Sequence, residues 1–192
     1  MSALAAPPVT QALWADTAAP FVPCEFRVKW AHGHWELDHA RRLRRAVFCV
    51  EQGVFVGDDT DDIDTRAQLL VAVAHVAGLP EQVVGTVRIH EEAPGRWWGS
   101  RLAVHAAFRH HGRIGATLVR LAVGSAHARG CDTFLAHVQM QNVPMFEKLA
   151  WTGLADEVLH RRPHRRMQAD LAAYPPCHTP YAGHVAASRG RP

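Results

Sequence analysis

Lysine is nearly absent from this 192-residue chain: Lys29 and Lys148 are its two copies, and arginine supplies the rest of the 21 basic side chains. With 18 acidic residues the formal net charge is only +3, too little by itself to imply a nucleic-acid partner. Cysteine is scarce and scattered, at Cys24, Cys49, Cys131 and Cys177, with no C-x-x-C pair. That spacing argues against a zinc knuckle or a disulfide framework and suits a reducing cytoplasm. No run approaches the roughly 20 apolar residues of a membrane helix, so no membrane partner is expected. A His-Glu-x-x-His motif is missing too, and no metal site is expected. The acidic run from Asp58 to Asp64 imitates calcium ligands. However, Ile63 stands where a calcium loop needs glycine, and Leu69 where it needs a bidentate Glu.

What is present is the composition of one ordinary globular domain, 48% hydrophobic and 20% charged. Residues 1–23, interrupted by Pro7, Pro8, Pro20 and Pro23, read as a flexible lead-in, 24–172 as the folded domain and 173–192 as an irregular tail. Glu25 to Trp30 alternates apolar and charged residues with the period of a strand, whereas Trp35 to Glu51 repeats its apolar residues at three and four, as a helix does. Arg41, Arg42, Arg44 and Arg45 then fall on a solvated face of that helix. Leu69 to Val76 and Val83 to Ile89 flank the turn signal Gly78-Leu79-Pro80 and predict an antiparallel hairpin. A strand over Trp97 to Val104, a long apolar helix over Gly112 to Arg129 and a strand over Thr133 to Gln139 follow. A short helix from Val143 to Ala150, with Pro144 in its first turn, precedes two closing strands, Trp151 to Leu159 and His164 to Leu171. This order predicts a mixed α/β fold with a central sheet and helices on its faces.

Arg101 to Ala116, RLAVHAAFRHHGRIGA, is the most informative stretch: a strand, a basic turn with two glycines, then an apolar helix. Unpaired amides and the positive end of a helix dipole at such a turn form a site for phosphate. Gly112 and Gly115 permit close approach of the main chain, and Arg109 and Arg113 can add charge-assisted bonds. The spelling fits neither a nucleotide P-loop nor a dinucleotide fingerprint. It resembles the acetyl-CoA loop of the Gcn5-related N-acetyltransferase (GNAT) superfamily, [Q/R]-x-x-G-x-[G/A] after an L-x-V strand, with Leu102, Val104, Arg109 and Gly112 in register. The sixth position is Ile114, with the second glycine one place later. Either the loop is one residue longer or Arg113 takes the first glycine's place. Leu43 to Leu70 is similar to the corresponding segment of GNAT proteins of the ElaA type, a pattern echoed in acyl-homoserine lactone synthases. Asn142 to Trp151 is similar to the superfamily's ending, N…YEKLGF, and the tail around Arg162-Pro163-His164 and Tyr174 to Cys177 resembles a nitrogen-starvation acetyltransferase subgroup.

The resemblance implies a mostly antiparallel mixed sheet splayed between its fourth and fifth strands, with acetyl-CoA in the gap and direct attack by an amine on the thioester. The acceptor would be a small-molecule or peptidyl amine, and a homodimer is an expectation of the superfamily. Leu102, Ala103 and Val104 would supply amides to the thioester carbonyl. Arg109, Gly112, Arg113, Ile114, Gly115, Ala116 and Asn142 would hold the cofactor. His90, Glu91 and Glu51 are candidate bases, with Glu92 and His105 as further ones. Asp61 and Asp64 would shape the acceptor pocket and attract a cationic amine. The superfamily's usual acid, a tyrosine, is Phe146 here, which leaves water, Tyr174 or no acid to protonate the thiolate. Two alternatives stay open: a CoA-binding module without turnover, and an acyl-homoserine lactone synthase-like acyltransferase.

Overall fold

A computed structural model describes residues 25–110 and 113–187. The expected lead-in and Gly112 lie outside the described residues. The chain runs β1 (Glu25–Trp30), α1 (His34–Arg44), β2 (Gln68–Val76), β3 (Leu79–Ala93), β4 (Arg96–Val104), α2 (Ile114–His127), β5 (Thr133–Gln139), α3 (Val143–Glu147), β6 (Trp151–Leu159), β7 (Arg162–Ala169) and β8 (His184–Ala187). Among the described residues, eight strands form one sheet in the order β6-β7-β5-β4-β3-β2-β1-β8, with β4 and β5 as its parallel pair and every other pairing antiparallel. This is the mixed α/β fold expected. A parallel neighbour cannot be reached through a tight turn, and α2 is the crossover that carries the chain from β4 to β5.

Alternation decides which face each strand residue meets. Phe26, Val28 and Trp30 of β1 join Ile114, Leu118, Leu121 and Val123 of α2 in one core. Val71 and Val73 of β2 point the other way and pack with Ala40, Leu43, Val47 and Phe48 in a second core. The β2–β3 turn is Ala77-Gly78, both with positive φ (49° and 80°), a two-residue hairpin turn.

Leu79 and Pro80, expected in the turn, belong to β3, and the short helix and last closing strand end at Glu147 and Ala169 rather than Ala150 and Leu171. Three larger features also differ from the sequence reading. The first helix ends as an α-helix at Arg44 and continues as a π-helical segment, Arg45–Glu51. Of the arginine cluster, Arg41, Arg42 and Arg45 are exposed as expected, but Arg44, expected on the solvated face, is 1% exposed. The tail is ordered against the domain: β8 pairs with β1, and Tyr174 is buried. Proline content does not prevent this, because the chain crosses α2 at Gly124, where a side chain would collide with the Pro175 carbonyl and where Cys177 N–H donates to the Gly124 carbonyl at 2.9 Å.

Candidate active site

The β4–β5 ladder runs from Arg96–Thr133 to Gly99–Ala136 and stops there, so Ser100 to Val104 of β4 have no β5 partner. A cavity of about 390 Å³ opens where the strands part. Phe48 from one core and Val119, Ala122 and Val123 from the other both line it, so the cavity passes through the sheet from face to face. Its α2-side wall is apolar. Its opposite wall carries Asp61, His90, Glu92, Trp98, His137, His160 and His164.

A bulge in β4 lies beside the opening. Thr86 pairs with Ala103 and Arg88 with Ser100, so Arg101 and Leu102 together face Val87, and Arg101 takes φ 55°. As a result Ser100 and Arg101 point to the same face. Ser100 Oγ accepts from Arg88 Nε at 3.0 Å, and Arg101 reaches the acidic loop. There, three arginines and three aspartates close a ring of alternating charge. Arg44 bridges Asp59 and Asp64, Arg88 bridges Asp64 and Asp61, and Arg101 bridges Asp61 and Asp59, at N···O distances of 2.5 to 3.0 Å. Burial opposes ionisation of Asp61 and Asp64, but the arginine partners outweigh it and hold both carboxyls below their ordinary range, Asp64 far below. The same two residues form a capping box on a short 3-10 turn: Asp61 accepts from Ile63 N–H, and Asp64 from Asp61 N–H.

His90 sits on the cavity wall, 7% exposed, and its Nδ1 is buried without a hydrogen-bond partner. Burial, then the charges of Arg66 and Arg88, push its pKa below the ordinary imidazole value. A neutral imidazole on a cavity wall keeps one unprotonated ring nitrogen and can accept a proton. Glu91, one residue on, points away, and its carboxylate accepts from Gly95 N–H at 3.0 Å. Glu51 also lies outside the cavity, ion-paired with Arg109 at 2.5 Å. His105 instead accepts from Ala107 N–H.

At the wide end of the gap α2 begins with no side-chain cap. Arg113 precedes it with φ 51° and ψ 34°, the left-handed conformation usually left to glycine. Ile114 is buried under Gly85, whereas Gly115 and Ala116 are half-buried in the first turn of the helix. Leu102 and Asn142 line the cavity, Val104 packs toward α2, and Ala103 packs toward α1.

Residues 9–151 match the family described as the Acetyltransferase (GNAT) family. The chain belongs to that family. It is 29% identical over 134 residues to a Bacillus subtilis (strain 168) protein named as an acetyltransferase, covering 69% of this chain and 87% of that one. Its fold is similar to a Lactobacillus plantarum protein named as an N-acetyltransferase, with a TM-score of 0.66, 22% identity and coverage of 75% of this chain and 97% of that one. It is also similar to Escherichia coli ElaA, with a TM-score of 0.57, 18% identity and coverage of 74% and 99%. The chain is therefore an acyltransferase of the GNAT fold, using an acyl-CoA.

In this GNAT chain Phe146, at the superfamily's tyrosine position, is buried on the cavity wall with its ring perpendicular to Trp151 at 5.0 Å. Tyr174 does not line the cavity. Its hydroxyl donates to the Leu149 carbonyl and accepts from Trp151 Nε1. Sequence reasoning missed Trp98, His137, His160 and His164. The period of β5 could have placed His137 beside Gln139, but nothing local shows that the β6–β7 turn folds over Phe55, where the His160 ring lies 4.7 Å away.

Proposed function

We propose that the protein transfers the acetyl group of acetyl-CoA to a primary amine of a small molecule or peptide by direct attack. The observation that carries this reading is the His90 imidazole, buried without a partner at Nδ1, on the wall of a cavity that joins the two faces of the sheet at the β4–β5 gap. The uncapped start of α2 suits the diphosphate, with Arg109, Arg113 and the amides of Ile114, Gly115 and Ala116 around it. The open edge of β4 over Leu102, Ala103 and Val104 suits the pantetheine and the thioester carbonyl, with Asn142 opposite. The amine enters from the polar wall, where Asp61 shapes the pocket by holding Arg101 and the bulge, and Asp64 by holding Arg44 and Arg88.

The amine nitrogen forms a bond to the thioester carbon, the carbon–sulfur bond breaks, and the proton lost from nitrogen passes to His90. The CoA thiolate, with a pKa near that of a simple thiol, about 8.5, takes its proton from water, because Phe146 has none to give. The free thiols Cys49, Cys131 and Cys177 suit a reducing cytoplasm.

Free-thiol release from acetyl-CoA across a panel of amines tests the reading, with saturable, amine-dependent release expected. Phe146 favours a second reading, a CoA-binding module without turnover. CoA binding with no amine-dependent thiol release would establish it.

A further inference from the structure

On its α2 side the cavity has an apolar arm set among core side chains. On the α2 side its walls are Val119, Ala122, Val123, Phe134, Phe146 and Trp151. All belong to the buried core, yet all face this space. Protein cores close up around voids because every missing contact destabilises them. A recess kept open among core side chains is thus shaped for something apolar. Trp151 carries the one hydrogen-bonding side-chain group among the six, and it is already committed: its Nε1 donates to Tyr174 Oη at 2.9 Å. Tyr174 in turn donates to the Leu149 carbonyl. The side chains of this arm therefore offer water nothing to bond. Val119 and Val123 stand one turn apart on α2, about 6 Å along its axis. An acetyl methyl group does not fill that length, whereas a butyryl chain does. Ala122, between them, is the small residue that keeps the recess wide.

We propose that the donor site takes short aliphatic acyl-CoA thioesters longer than acetyl, with the acyl chain lying between α2 and β5 against Ala122, Phe134 and Trp151. This rests on the acyl-CoA reading of the β4–β5 gap and adds that the gap has an arm for the chain. Each added methylene leaves water for an apolar wall, so affinity rises with chain length until the arm is full.

Calorimetric titration of the full chain with CoA, acetyl-CoA and butyryl-CoA tests this without requiring the acceptor. Butyryl-CoA should bind about tenfold more tightly than acetyl-CoA. Ala122→Phe, which plugs the arm, should abolish that preference, and the milder Ala122→Val should reduce it; thermal melting identifies which variants are folded. Binding of acetyl-CoA with no gain for butyryl-CoA, or a preference that survives in a folded plugged variant, overturns the acyl arm while leaving the proposed function standing. No binding of any of the three overturns both.

Discussion

Arg101 donates to Asp61 across forty residues of sequence, Nη2 to Oδ2 at 3.0 Å, and does so from a backbone in the left-handed region at φ 55°. A second aspartate, Asp59, holds the same guanidinium, which also lies 4.5 Å from the centre of the Phe55 ring. The bulge that opens β4 beside the cavity is thus secured by the acidic loop. The closed ring of three arginines and three aspartates has no net charge to bury.

Removing one member unbalances the ring. Asp59→Ala leaves Arg44, 1% exposed, and Arg101 each with one carboxylate fewer. Breaking a buried pair in this way costs about 3–5 kcal/mol. Denaturant unfolding should show the loss as a lower midpoint.

Acid should expose the same ring. Asp61 and Asp64 have folded pKa values depressed below an unfolded value of about 3.9. Their stabilisation is complete above that value and is lost as pH falls below it, since the unfolded chain then binds the proton first. Melting temperature measured from pH 6 downward, at roughly half-unit steps, should fall steeply below about pH 4. A flat profile would contradict the depressed values.

Burial holds the His90 pKa under the ordinary imidazole value, so protonation of its ring needs a lower pH than a free imidazole does. The acid limb of the pH–rate profile should lie below that value. His90→Gln should remove this limb and slow thiol release by about 10²–10⁴-fold. Retention of the limb would assign the base elsewhere.

At Gly115 a methyl group would meet Val104 Cγ2 at 3.8 Å and Met145 Sδ at 4.0 Å, ordinary contacts. Gly115→Ala should fold normally, whereas Gly115→Leu should obstruct the start of α2 and weaken CoA binding by more than about tenfold, about 1.4 kcal/mol. Titration calorimetry distinguishes the two.

Tyr174→Phe removes the partner of both Trp151 Nε1 and the Leu149 carbonyl. Leaving such buried groups unpaired costs about 1–3 kcal/mol, read as a lower melting temperature. Turnover of acetyl-CoA should persist, because Tyr174 does not line the cavity.

Much of the fold was legible from local pattern. The bounds of β1, β5 and β6 coincide with those read from the sequence, and the β2–β3 hairpin falls between the two expected apolar runs. The turn before α2 stood out because glycine and arginine cluster between a strand and an apolar helix. Less of the site was legible. Glu91 and His90 are adjacent in sequence, and only the pleat of β3 decides that one meets the Gly95 amide while the other enters the cavity.

The sequence by itself determined the periodicities, the turn chemistry and the family, since each is carried by residues only a few positions apart. The tertiary structure alone decided the charges. Arg44 resembles its exposed neighbours Arg41, Arg42 and Arg45 until the chain brings Asp59 and Asp64 to it, from 15 and 20 residues away. Coulombic pairing acts through space and selects no spacing along the chain, so whether an arginine faces water or a buried carboxylate becomes defined only once the sheet and its loops have assembled.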